Sequence, residues 1–329
     1  MILLTNDSTR NMIKITDLAT HTCNGCAPGR DNFFIRRYPM VRIPHPFKPS
    51  KTIDEQLDIF KSRGLIVEDE AWAKGILKRV SYYRFTAYTL SLKTDDVFHD
   101  GVTFKQIYRL YDFDLKFRLL LMEIIEVIEI SMRTHIALVL ADKYDGMGYR
   151  DSRNFEDETK HAKFMEDLDQ LLKQSKDVFV KHYFYKYDGD FPIWVVNEVM
   201  TFGVLSKLFK NMKQQDKNEL GRKYYAGVHG DYLASWLHAL SNLRNVCAHY
   251  GRTYNRNFPI PPKLFVRDHK VIQDNYKVYT IVFIVKYMFN DKTYWNSWIE
   301  RLRTLIEEYT EVDSKLIGFP EGWYHLLKV

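Results

Sequence analysis

Cysteine is scarce in this chain: 329 residues hold three, Cys23, Cys26 and Cys247. Three cannot build a disulfide framework, so a reducing compartment and a cytoplasmic protein are expected. Cys23 and Cys26 form a CxxC pair, but no second CxxC or CxxH completes a tetrahedral zinc site. The pair also sits in Thr/Asn/Gly/Pro-rich sequence rather than between a strand and a helix, where a redox motif would lie. Long apolar runs are lacking as well. The most apolar stretch, residues 279–289, is interrupted by Lys286 and is too short to span a bilayer, so no membrane association is expected. The opening Met-Ile-Leu-Leu gives way at once to polar residues, unlike a secretory signal. No internal repeat, low-complexity tract or strong run of strands is present.

What the chain does contain is the mixture of a globular protein, 46% hydrophobic and 27% charged, with enough apolar material for a sizeable core. The net charge of +6 is compatible with a polyanionic partner without requiring one. Aromatics reach 15%, 22 of them Tyr; such rings can stack on nucleobases but more commonly fill cores and interfaces.

Apolar periodicity of three and four residues recurs through most of the chain, which makes the expected fold all-α, a helical bundle. Residues 1–39 lack that pattern and read as a loosely ordered N-terminal extension. Residues 40–100 open with a proline-rich lead and read as a small N-terminal helical subdomain. Its first helix is announced by Thr52 and Glu55 as a capping box, and a second is expected from Asp69 to Tyr82. Residues 101–329 form the main helical domain. The longest pattern there runs from Phe104 to Ala141, and others cover Asp157–Gln174, Asp216–Tyr225, Asp231–Tyr250, Asn275–Asn290 and Trp295–Thr310, with a further helix starting at Pro192. Along the longest, Glu123, Glu126, Glu129 and Arg133 suit intrahelical ion pairing. Asp112, Asp114 and Glu123 are alternative cation ligands, but no His accompanies them at ligand spacing. No metal and no cofactor is therefore expected.

The informative segment is Leu243–Asn255, LRNVCAHYGRTYN. It places Arg244 and His249 at one helix end, Asn245 beside the Arg, and Gly251 as the expected helix breaker. Five residues turn a helix by about 500°, so Arg244 and His249 point roughly 140° apart. They converge only if the Arg reaches round, the helix end unwinds, or a second copy packs alongside. Cleavage of RNA by its own 2′-hydroxyl needs one proton removed, one delivered, and charge stabilised on phosphorus. An imidazole moves protons near neutral pH, and a guanidinium fork matches phosphate oxygens. Taken alone, Arg-x4-His is also what an ordinary helix end looks like.

The context is more specific. Arg244-Asn245, Cys247-Ala-His249, Arg252 and Asn255 resemble the RN-x-CAH-x-x-R-x-x-N signature of the Abi-like (AbiD/AbiF) proteins of the HEPN ribonuclease superfamily. Collinear blocks extend the likeness over about residues 40–329: Phe47-Lys-Pro with Arg63-Gly64, Ser81-Tyr-Tyr-Arg84, Tyr111-Asp-Phe-Asp114, Pro192-Ile-Trp194 with Thr201-Phe-Gly203, and Ile317-Gly-Phe-Pro320 with Trp323. Tyr250 departs from it, standing where relatives often carry a second His. The resemblance implies a HEPN-type bundle and a metal-independent RNA endonuclease acting as an abortive-infection or toxin effector in phage defence. Arg244, Asn245 and His249 would be catalytic, and Glu126, Glu129 and Arg133 supporting. It further implies a homodimer with facing motifs and a structured noncoding RNA that restrains the enzyme. Arg252, Asn255, Arg256 and Tyr250 are the expected RNA contacts. The alternative is a HEPN protein that holds a regulatory RNA without cutting it.

Overall fold

The computed structural model describes residues 48–329. The 1–39 extension and the Cys23/Cys26 pair lie outside these. From Lys51 onward the chain forms one compact unit, all-α apart from a two-stranded hairpin. Among the described residues no helix is long and apolar enough to cross a membrane.

Helix α1 (Ile53–Ser62) starts at the capping box read from sequence. Thr52 Oγ1 accepts from the Glu55 N–H at 3.2 Å, and the Glu55 carboxylate accepts from the Thr52 N–H at 2.8 Å. Helix α2 (Glu70–Arg79) ends earlier than the Asp69–Tyr82 pattern suggests. The reason is Ser81, whose hydroxyl accepts from the Arg84 N–H at 3.3 Å and starts a separate short helix, α3 (Tyr82–Thr86). Strands β1 (Lys93–Thr94) and β2 (Val97–Phe98) then pair through Asp95 and Asp96, at φ of 48° and 66°. Two positive-φ residues make the tight hairpin geometry usually supplied by Asn-Gly, so Asp-Asp is a weak signal for it.

Helix α4 (Phe104–Tyr144) is the axis of the molecule, 41 residues and about 60 Å long. Thr103 caps it, accepting from the Gln106 N–H at 3.1 Å. Around it stand α5 (Glu158–Gln174), α6 (Val178–Lys186), α7 (Ile193–Val199), α8 (Phe202–Asn211), α9 (Gln214–Tyr224), α10 (Gly230–Ala248), α11 (Val278–Val285), α12 (Lys292–Glu308) and α13 (Trp323–Leu327). The Tyr-rich stretch forms α6, and α11 is shorter than the Asn275–Asn290 pattern. Helix α10 packs against α4, α8, α9 and α11 at once, which explains why its Leu233, Trp236, Leu237 and Leu240 are fully buried.

A single apolar core runs from Leu57 in α1 to Leu327 in α13. Phe60 and Phe85 meet Phe104 at the base of α4, so the N-terminal helices share that core. Much of the aromatic excess is here. Trp236, Trp295 and Trp298 are buried, and each indole N–H donates to a backbone carbonyl, at 2.7, 2.8 and 2.9 Å.

Candidate active site

Helix α10 runs antiparallel to α4: Asp114 meets Thr253, and Glu129, further along α4, meets Arg244. The end of α10 is a Schellman turn. His249 is the C-cap at φ −93°, Tyr250 takes the left-handed position at φ +58°, and the Gly251 N–H returns to the Val246 carbonyl at 2.7 Å. The expected break at Gly251 therefore falls one residue earlier, on Tyr250, and His249 lies just past the last helical residue. Gly251 answers a different need: a Cβ there would come within 3.0 Å of both the Val246 carbonyl oxygen and Cγ1.

Asp114 anchors the loop beyond the helix end. It is fully buried and accepts from the Thr253 N–H at 3.0 Å, the Thr253 hydroxyl, the Tyr254 N–H at 2.8 Å and the Tyr88 hydroxyl at 2.7 Å. Arg118, one turn on and also buried, forms its counter-ion. Burial and the Asp114 charge push the Tyr88 hydroxyl up, so it stays protonated and donates. The carboxylate set considered as cation ligands is thereby divided among separate partners. Asp112 accepts from Tyr309 and pairs with Lys116 at 3.6 Å, while Glu123 pairs with Arg301 and accepts from Tyr294. Among the described residues no three or more His, Cys, Asp or Glu are grouped to hold a metal ion.

Arg244 leans onto α4, with Nε 3.7 Å from Glu129 Oε2, and remains about one third exposed. Glu129 is shared with Arg133, which donates in turn to the Asn197 carbonyl of α7. The Asn197 amide donates back to the Arg133 carbonyl at 2.6 Å. The structure thus brings Arg244, Glu129 and Arg133 together. Glu126 is exposed, with no hydrogen bond or ion pair among the described residues. Asn245 and His249, four residues apart and so on one face, are both exposed, and neither side chain has a partner there.

The loop after the helix end is held by its own cations. Arg252 donates to the Tyr254 carbonyl at 2.8 Å, and burial pushes its guanidinium below the usual value. Arg256 reaches the Arg252 carbonyl at 3.5 Å and lies over the Phe258 ring, and Asn255 takes a left-handed φ of +49°. Cys247, buried behind the motif, has its thiol pushed up to about 12 by burial and by Asp114.

Two residues that sequence reasoning did not place at the site belong there. Arg84 of α3 donates to the Tyr250 carbonyl at 2.5 Å, tying the N-terminal helices to the helix end. Asp114 is the other. Its signal was available: an Asp with an Arg four residues on, set among Leu110, Phe113 and Phe117, marks a buried pair rather than a ligand.

Fold and site together define an all-α protein that exposes Asn and His beside an ion-paired Arg at a clamped helix end. The chain belongs to the Abi-like protein family, whose model it matches over residues 75–255, more than half its length. That span takes in Arg84, Asp114, Glu129, Arg244 and His249. No curated protein and no solved structure matches the chain.

Proposed function

We propose that this protein is a metal-independent HEPN-type endoribonuclease that acts as an abortive-infection effector, working as a homodimer and restrained by a structured noncoding RNA. The observation that carries this reading is the end of α10. Asn245 and His249 stand exposed and unpartnered on one face, while the loop that follows the helix end is pinned by Asp114. Unpartnered polar side chains on a rigid support suit a ligand that arrives from outside.

In this mechanism one imidazole takes the proton from the 2′-hydroxyl as the O2′–P bond forms. A second proton goes to O5′ as the P–O5′ bond breaks, leaving a 2′,3′-cyclic phosphate and a 5′-hydroxyl. Arg244 stabilises the charge that builds on the phosphate oxygens, and Glu129 holds the guanidinium while no phosphate is present. Base and acid are two roles, and each chain offers one His at this end. A two-fold axis beside α10 supplies the second His249.

The test is cleavage of a labelled single-stranded RNA by purified protein in EDTA. The wild type should yield cyclic-phosphate and 5′-hydroxyl ends. His249→Ala or Arg244→Ala should cut at least about 10²-fold more slowly with unchanged circular dichroism. Full-rate cutting by His249→Ala, with contaminating nuclease excluded, sinks the mechanism. A wild type that binds RNA and never cuts it is the non-catalytic alternative.

A further inference from the structure

Beside the helix end lies a cleft of about 580 Å³, lined by α2, α3 and α4 and by Cys247 and Tyr250. Its charge is one-sided: Arg79, Arg84 and Arg118 line it, and no Asp or Glu does. Arg118 is neutralised by Asp114. Arg79 is exposed, with no hydrogen bond or ion pair among the described residues. Arg84 gives one N–H to the Tyr250 carbonyl and has no carboxylate partner there. Two uncompensated guanidiniums therefore face an open cleft, one of them fixed in place by the residue next after His249. Beside the neutralised Arg118, α4 presents the apolar Leu115, Leu119 and Met122 to the cleft, and Leu119 is 65% exposed. Tyr250 stands at the mouth, 68% exposed, on a left-handed backbone that favours glycine. A helix end alone has no use for a ring there.

We infer that this cleft seats single-stranded RNA next to the bond that is cut. Arg79 and Arg84 take neighbouring phosphates, Tyr250 stacks on an unpaired base, and Leu119 covers the adjoining base face. Cations for the backbone with an aromatic platform for the bases is the chemistry that recognises single strands, whose bases are free to stack. In a duplex those faces are already covered by neighbouring base pairs. Because Arg84 is bonded to Tyr250, the phosphate it binds is held in register with His249 one residue away. This assignment rests on the ribonuclease reading for its substrate, and binding tests it separately from cleavage.

The experiment uses the full chain in a His249→Ala background, a fluorescein-labelled oligouridine 12-mer, and anisotropy across a salt series. Arg79→Gln should weaken binding several-fold and flatten the log–log salt dependence by about 0.7, the share of a single phosphate, with Arg79→Lys restoring most of it. Tyr250→Ala should weaken binding about tenfold and leave the slope unchanged. A blunt RNA duplex of equal length should bind more weakly and ignore Tyr250→Ala. Wild-type affinity and slope in both Arg79→Gln and Tyr250→Ala would overturn the assignment, even for a protein that cuts RNA, as would a His249→Ala protein that binds no oligouridine. Full-rate cleavage by His249→Ala would remove the catalytic reading and leave the affinities, and the cleft, standing.

Discussion

Asp114 is bonded to Thr253 twice, through the backbone N–H at 3.0 Å and through the hydroxyl, across a sequence separation of 139 residues. The same carboxylate neutralises the buried Arg118. Asp114→Ala should therefore lower unfolding free energy by about 3–5 kcal/mol, because it leaves an uncompensated buried guanidinium. Urea denaturation measures this, and a drop of less than about 1 kcal/mol would show that Asp114 is not the clamp described. The double variant Asp114→Leu/Arg118→Met should recover only part of the stability, since it removes both charges but leaves the Tyr88, Thr253 and Tyr254 donors without their acceptor.

Tyr250 should be replaceable at no cost to the fold. Its left-handed backbone favours glycine, so Tyr250→Gly is expected to leave stability unchanged or raise it by about 1 kcal/mol. RNA affinity should fall in the same variant. A clear drop in melting temperature would mean that the ring supports the structure instead.

Arg244 faces α4 while His249 faces solvent, which bears on how two chains would share the work. A site that needs both His249 side chains predicts that mixing Arg244→Ala protein with His249→Ala protein restores no cleavage. Partial return would mean that one Arg and one His from different chains suffice. Cleavage by a species that sediments as a monomer at micromolar concentration would remove the dimer.

His135 sets an acid limit on stability. Its ring stacks on Tyr224 at 3.9 Å between centroids, its Nδ1 lies 3.0 Å from the Tyr225 hydroxyl, and burial holds its pKa below the ordinary 6.5. The unfolded chain therefore binds a proton that the folded chain refuses. Stability from this site is present above pH 6.5 and is lost as the pH falls below it. The urea midpoint should drop as the pH is taken from neutral to about one unit below that value, and by less in His135→Phe. Equal drops in the two proteins would discharge His135 from this role.

Local chemistry was legible in the sequence at several helix starts, though not at Ser81, whose cap splits the expected Asp69–Tyr82 helix. Thr52 announces its helix start with its own side chain, and the helices expected from Phe104 and Asp157 begin within a residue of those places. The end of α10 was readable only to within a residue, because a Schellman turn accepts a Tyr at the place glycine usually holds. Partnerships over long separations left no periodic trace. Thr253 gives no hint of Asp114, and Arg84 lies 166 residues from the Tyr250 carbonyl it binds. The Glu129–Arg133 pair was visible because its members are four residues apart, whereas the lean of Arg244 onto Glu129 depends on how two helices cross.

The clamp at Asp114 also decides what can be moved between proteins. One carboxylate receives α4, the segment carrying Tyr88 and the loop after α10 together, so the helix end has no geometry of its own to take elsewhere. A graft of residues 243–255 into another bundle would arrive without its anchor. The smallest portable piece must carry the stretch of α4 around Asp114 along with the motif.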